Sequence, residues 1–522
     1  MSVQFQHPLY DKYLPKWKRC RDAASGQDAV HDAGGEYLPK LKDQTEDDYK
    51  AYRNRAVFFN ATWRTISGLV GMLFRKPPKT ESPTVTEALL DTVTDDGQPF
   101  NIFARNAAAE CLKVGRVGVL VDYPTTDIAT VTKADAALLN LRPTMALYEA
   151  ENIINWRQET IANQRVLTLV VLVEQADEAV DEFETKQVKQ FRVLDLVPAK
   201  NEDGSESLAY RIRLFQLDET TKAETQVSDD VFPLMNGARL PYIPFYFLAS
   251  DDTCIEPDDP PLIDLVDLNL SHYRTTADYE HGCHFTGLPT GYVTGYTKKE
   301  GEKIYLGSQS MLIFPDPNVT VGFLEFSGAG LGELKSNLDR KEEQMAVLGA
   351  RMLEAQKKGV ESAEAAGIHR AGENSALADA AQAISLGLTA ALQTFSDWAG
   401  GSGPATVELN RDFFPRPMSS EEITSLVTSW QQGAISPQTL FENLQAGQII
   451  ADSVTFEQEQ ERINNQVMGT TPTGSEPALP APTEDEGKGA DGKPIVIQFQ
   501  RGGGKRTVTG PNGQQYVIED AE

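Results

Sequence analysis

The chain has 522 residues, with 48 Lys and Arg against 76 Asp and Glu, a net charge of −28. At roughly 100–200 residues per domain, that length makes about three or four structural units, and a hydrophobic fraction of 40% excludes a wholly disordered chain. The acidic balance excludes a protein that wraps DNA through an overall basic surface, because neutralising phosphates needs many Lys and Arg; it does not exclude one that nucleic acid passes without sticking.

The first third reads as helices followed by strands. Asn60 or Thr62 caps a helix whose Ile66, Leu69, Val70 and Leu73 fall at helical spacing, with Arg75 and Lys76 in its last turn and Pro77-Pro78 as the stop. A second helix is expected over Asn101–Val114, ending at Gly115, before a strand at Val117–Tyr123. Further strands are expected at Leu167–Val173, Phe191–Val197 and Tyr210–Leu217, with the acidic stretches Glu174–Glu184 and Asn201–Glu206 as hairpin tips in solvent.

The middle is more helical. Asp258-Asp259-Pro260-Pro261 reads as an acidic cap with prolines in the first turn, opening a helix that buries Leu265, Leu268, Tyr273 and Ala277. A β-like segment from Gly287 to Phe326 separates it from a second long helix starting at Leu331. There Leu331, Leu334, Leu338, Met345, Leu348 and Met352 alternate three and four apart, a heptad-like seam interrupted by Lys341. Lys357–Ser375 is too polar and glycine-punctuated to continue that seam and reads as a loop. A third long helix, Ala376–Ala399, carries Ile384, Leu388, Leu392, Phe395 and Trp398 on one face and ends at Gly400-Gly401. After a strand at Ala405–Leu409, Ser419-Ser420-Glu421-Glu422 starts a run of helices to about Val467, restarted at Ile435-Ser436-Pro437. Gly469–Pro494 reads as a flexible linker, and Gly510-Pro511-Asn512-Gly513 as the turn of a terminal hairpin. The fold class is α+β.

Chemistry-bearing motifs fail on context. Gly487–Lys493 has phosphate-loop spacing, but Pro494 stands where a hydroxyl should hold magnesium. Gly328-Ala329-Gly330-Leu331-Gly332 precedes a helix, yet its third glycine comes one residue early for a dinucleotide loop, and no second parallel strand with an acid follows. His281, Cys283 and His284, with His272 upstream, lack the second half of a zinc site. Four scattered cysteines without a CxxC pair indicate reduced thiols, and no apolar stretch approaches the roughly 20 residues of a membrane span. The expectation is a non-enzymatic, soluble intracellular protein without cofactor or metal.

The order of these features, together with TWRTISGLVGMLFRKPP (62–78), DLNLSHY (267–273) with Asp278–Glu280, LPTGYVTG (288–295), Phe323–Phe326, KEEQMAVLGA (341–350), Glu364–Ala378, Trp398–Gly400 and Asn410–Phe413 before Ile435-Ser436, resembles the portal proteins of tailed bacteriophages. Within that group it is most similar to a portal-like family filed under a domain of unknown function. The resemblance spans about residues 5–467. It implies an α+β wing (1–258), a first stem helix (259–284), a small β-containing clip (285–330), a second stem helix (331–356), a tunnel loop (357–375), a long helix behind it (376–400), a helical crown-like region (401–467) and a tail outside the match (468–522).

It further implies a ring, twelve subunits in the family, at one capsid vertex, assembled in the host cytoplasm and resident in the virion. Double-stranded DNA would pass through the channel, and the terminase large subunit, a neck or adaptor protein, and the major capsid and scaffold proteins would be partners. Lys357, Lys358, His369 and Arg370 would then face DNA in the tunnel, and Lys298, Lys299 and Lys303 would meet partners at the clip. The other readings of the sequence are a minor head or neck ring protein without portal role, and a nucleotide-binding enzyme using Gly328–Gly332.

Overall fold

The computed structural model describes residues 2–124, 141–200, 206–217, 221, 223–251, 255–288, 290–297, 317–324, 328–350, 363–411, 413, 418–447, 449–451, 454–469, 505–509 and 515–519. These fall into two units, Met1–Phe414 and Pro415–Glu522. The first is a mixed α+β body. It opens with helices α1 (Pro8–Ser25), α2 (Gln27–Asp32), α3 (Glu46–Arg55) and α4 (Ala61–Leu73). In α1 the His7 side chain accepts from the Leu9 amide, Pro8 occupies the first turn, and Tyr10, Tyr13, Trp17, Cys20 and Ala24 bury one stripe. Asn60 caps α4 by accepting from the Trp63 amide, as expected, but the helix stops at Leu73, so Arg75 and Lys76 lie beyond its last turn.

Strand β1 (Lys79–Glu81) and helix α5 (Thr84–Glu87) lead to α6 (Phe100–Val114), which Gly115 ends in the left-handed conformation at φ 85°. Strands β2 (Arg116–Asp122) and β3 (Thr144–Glu149) follow, then the long antiparallel run β4 (Ile153–Ile161), β5 (Gln164–Ala179), β6 (Thr185–Lys200), β7 (Glu206–Leu217) and β8 (Glu224–Gln226), which form one five-stranded sheet in that order. The expected strands at 167–173 and 191–197 are real but short of the truth. The pairing of β5 with β6 runs out to Ala179↔Thr185, so only the tip of the acidic stretch is turn, with Asp181 accepting from the Phe183 and Glu184 amides. A two-stranded ribbon in solvent needs ladder bonds, not buried side chains, which is why charged residues continue the strands. Most of the other expected tip, 201–205, lies outside the described residues.

The short pair β9 (Leu234–Met235) and β10 (Ala238–Arg239) precedes β11 (Phe245–Ala249), which joins a three-stranded antiparallel sheet in the order β11-β2-β3. Helix α7 covers Ile263–Gly287, with Leu262 rather than an acidic residue at its N-cap and no side-chain cap; Asp259 instead pairs with Lys16. β12 (Thr290–Thr294) and β13 (Thr320–Leu324) pair antiparallel between α7 and α8 (Leu331–Ala350). Helix α9 runs from Ala363 to Trp398, so the stretch read as a loop to Ser375 is helical from Ala363 onward. Its Ile384, Leu388, Leu392, Phe395 and Trp398 are all buried, and it packs across β2 and β11. β14 (Thr406–Glu408) pairs with β1, joining residues after α9 to the strand that follows α4 within the first unit.

In the second unit, Ser419 and Glu422 form a capping box on α10 (Ser420–Gln431), and Ser436 caps α11 (Pro437–Ala446). Helix α12 (Phe456–Gly469) is followed by the paired strands β15 (Lys505–Thr509) and β16 (Gln515–Glu519), the hairpin expected around Gly510–Gly513. Residues 470–504, which hold all of the expected linker Gly469–Pro494 except Gly469, lie outside the described residues. Among the described residues no helix is long and apolar enough to cross a membrane.

Candidate functional site

The part of the chain that the sequence marks as distinctive, the helix–hairpin–helix unit, is built from α7, β12–β13 and α8. The first unit holds α7 at several points along its length. Arg19 of α1 pairs with Asp267 at 3.1 Å, and Tyr52 of α3 donates to Asp278 at 2.6 Å. Asn269, fully buried, receives both the amide and the hydroxyl of Thr62 on its carbonyl and donates to the Phe59 carbonyl at 2.7 Å. Replacing Asn269 with Leu strands those partners in an apolar site; a loss of about 2–3 kcal/mol is expected, read as a lower urea midpoint.

α8 packs on α7 through contacts the seam does not spell out. Leu338 and Met345 are buried, but Leu348 is 49% exposed. Lys341, the interruption in the heptads, donates from Nζ to the Ser271 carbonyl at 2.9 Å and to Thr275 Oγ1 at 2.6 Å. Burial, with Arg274 and Arg340 nearby, lowers its pKa. Beside it, His272 lies 3.3 Å from Glu342 and its backbone carbonyl accepts from Thr276; desolvation outweighs Glu342 and lowers its pKa. Close approach depends on Gly349, where a Cβ would stand 2.5 Å from Thr65 Oγ1 and 3.2 Å from Leu265.

At the far end of the pair, α7 and the hairpin leave apolar side chains in the open. Phe285, Leu288, Tyr292, Val321 and Phe323 are all exposed, Phe323 by 58%. Val321 and Phe323 alternate with Gly322, which faces Tyr292 across the ladder, so large apolar groups stand on both faces of the two-stranded ribbon. The glycine loop enters α8 by a tight joint: Gly328 takes φ +62° and its carbonyl accepts from the Leu331 amide. The strand before it pairs antiparallel with β12, not in the parallel β-α-β setting a dinucleotide loop requires. His281 sits edge-on to Tyr52 and Phe285, and no group of metal-ligating side chains occurs among the described residues.

Of the residues singled out by the sequence, Lys298, Lys299, Lys303, Lys357 and Lys358 lie outside the described residues. The backbone of His369 and Arg370 belongs to the first turns of α9.

A second feature escaped the sequence reading. One face of the five-stranded sheet carries Leu169, Val171, Val193 and Phe215 together with Asp195 and Arg213, with Val171 and Val193 buried among the core residues. Residues 2–7 cross its mouth as a strap, leaving a groove of about 1540 Å³. At one end the His7 amide donates to the Ile154 carbonyl, and its ring stacks on Trp156 at 4.2 Å. At the other, Glu224 receives the Ser2 hydroxyl, the Val3 amide at 3.0 Å and the Gln4 side chain at 3.0 Å. Those bonds, Ser2 first, hold the Glu224 carboxyl below its ordinary range. The contacts join positions more than a hundred residues apart, so no local pattern announces them.

A family model described as "Domain of unknown function (DUF4055)" matches residues 261–399, which hold α7, the hairpin, α8 and α9. No curated protein matches the chain. Among solved structures, it is similar to a chain of "Virion of native gene transfer agent (GTA) particle" at 12% identity and a TM-score of 0.34, covering 86% of this chain and 100% of that one. It is also similar to chains of "Neck of empty GTA particle computed with C6 symmetry" (10% identity, TM-score 0.33, 86% and 100%) and "Neck of native GTA particle computed with C12 symmetry" (11%, 0.32, 80% and 97%). Superpositions this loose set no residue-level correspondence.

Proposed function

We propose that this chain is a portal-type subunit: copies close into a ring at one vertex of a phage-like capsid, and the axial channel carries double-stranded DNA during packaging and ejection. In this reading, α7 and α8 are the stem, the β12–β13 hairpin belongs to the clip, the preceding α+β body is the wing, and the second unit holds the crown. The observation that carries the proposal is the helix–hairpin–helix unit. It is clamped to the body on one side and ends in a ribbon with apolar side chains exposed on both faces. A ribbon of that kind is stabilised by neighbours on each side, as a head-to-tail ring provides.

The ordered sequence resemblance supports the same reading, and so does the charge. At −28 per chain, a ring repels phosphate on average, so DNA slides instead of binding. Contact would then fall to local cations, Lys357, Lys358, His369 and Arg370 toward DNA, and Lys298, Lys299 and Lys303 toward the terminase motor and later the neck adaptor. The ring itself would perform no catalysis; the work of packaging would come from ATP hydrolysed by the motor. Electron microscopy of the purified chain is expected to show rings with an axial channel. Particles that stay monomeric or dimeric under all assembly conditions would contradict the proposal.

A further inference from the structure

The N-terminal strap is tied down at its two ends by different chemistry. At the far end, Glu224 of β8 receives the Ser2 hydroxyl, the Val3 amide and the Gln4 side chain. At the near end every tie passes through His7. Its amide donates to the Ile154 carbonyl at 2.9 Å, its ring stacks on Trp156 at 4.2 Å, and its Nδ1 accepts the Leu9 amide at 3.2 Å as the N-cap of α1. An imidazole that accepts at Nδ1 carries its single proton on Nε2, so only the neutral ring makes this cap; once protonated, both nitrogens are donors. The surroundings oppose that second proton as well. It would face the Leu9 N–H and stand at the positive end of an 18-residue helix. On the Trp156 ring it would share an aromatic partner with Arg116 of β2, whose guanidinium carbon lies 4.2 Å from the ring centre and whose nitrogens have no hydrogen-bond partner among the described residues. Glu256, in the segment before α7, works the other way, and Asp11 lies in the first turn of α1 itself. Burial, and after it Arg116, outweigh Glu256 and hold the ring's pKa below the ordinary histidine value.

We propose that His7 is a proton-operated latch: neutral, it closes residues 2–7 over the sheet face, and protonated, it lets the near end of the strap go while Glu224 keeps the far end. Glu224 makes the two ends unequal. The strap's own donors hold its carboxyl below its ordinary range, so it stays charged throughout the range in which a histidine titrates. Opening stops at Tyr10, which is buried and donates from its hydroxyl to the Glu151 carbonyl at 2.9 Å. The closed strap binds the His7 proton less tightly than the open one. Closure is therefore fully favoured above the ordinary histidine value, about 6.5, and is lost as pH falls below it through the closed-state value.

Hydrogen exchange of the full chain, read by mass spectrometry and corrected for intrinsic rates, tests the latch. Peptides covering the strap and the first turn of α1 hold the His7 and Leu9 amides, both hydrogen-bonded in the closed form. They are expected to be protected at about pH 7.5 and to lose that protection by about pH 5, while peptides from the buried helix α6 keep theirs in the same samples. His7→Asn offers a capping oxygen that does not titrate in this range, so its strap peptides should show the same protection at both pH values. Protection of the parent strap that is equal at the two pH values overturns the latch. So does a loss that persists in His7→Asn, because another group then carries the proton. Loss from the strap and α6 together overturns it too, since the whole fold and not the strap then responds.

Discussion

Gly118→Val is expected to destabilise the first unit by at least about 3 kcal/mol, at the upper end of what overpacking costs. Gly118 lies in β2, opposite Phe247 of β11 and Tyr148 of β3. A Cβ there would stand 2.2 Å from Phe245 Cζ and 2.8 Å from Ile153 Cδ1. Neither neighbour can yield, because Phe245 and Ile153 are themselves buried among the core residues. Strand β2 is buried along nearly its whole length, so a shift there moves both flanking strands. Gly71→Ala is the matched control: it sits inside α4 with nothing within 4 Å of the added carbon. That change should be neutral or stabilising by up to about 1 kcal/mol from helix propensity. Urea unfolding of the two variants against the parent reads both effects, and a Gly118→Val midpoint equal to the parent's would contradict the packing described.

Arg116→Met is expected to act in the opposite direction and stabilise the fold by about 1–3 kcal/mol at neutral pH. Arg116 is 2% exposed, and none of its three guanidinium nitrogens has a hydrogen-bond partner among the described residues. Burial alone lowers its pKa from the ordinary arginine range to about 9, equivalent to a penalty of about 5 kcal/mol on the charged form. The rings of Trp156 and Phe247, 4.2 and 4.0 Å from the guanidinium carbon, return about 2 kcal/mol of that.

The sign of the pH dependence follows. Below about pH 9 the group is charged in both folded and unfolded states, and the folded state bears the full penalty. Above about pH 9, and below the ordinary arginine range, the folded group gives up its proton first, so the parent gains on the variant as pH rises. Urea midpoints of parent and variant at pH 7 and pH 10 measure this; a variant less stable than the parent at pH 7 would show that the aromatic sandwich outweighs desolvation.

What was legible in the sequence was local. Asn60 and Ser419 cap their helices, Gly115 closes α6, Gly400 takes a positive φ after α9, and the strands on either side of residues 510–514 pair. Each of these depends on backbone groups a few residues away, which is the range over which side-chain chemistry dictates structure. Features that depend on partners elsewhere were misread or missed. Asp258-Asp259 resembles a helix cap, but Asp259 is drawn to Lys16 of α1. Lys341 breaks a heptad on paper and in space reaches the Ser271 carbonyl on the facing helix. The N-terminal strap and its groove join Ser2 to Glu224 and His7 to Trp156, pairings that no window along the chain contains. For the same reason the candidate site was legible only as two helices around a β segment. The exposure of Tyr292, Val321 and Phe323 on its ribbon is a property of the folded pairing, which the β-like pattern alone does not distinguish from burial.

The most direct test of the central claim is the native mass of the full chain under assembly conditions. Twelve chains of 57.4 kDa predict a single closed species of about 689 kDa, with an open axial channel when the same peak is imaged. A species that remains at the mass of one or two chains, at every concentration and salt tried, would contradict the ring and with it the conduit.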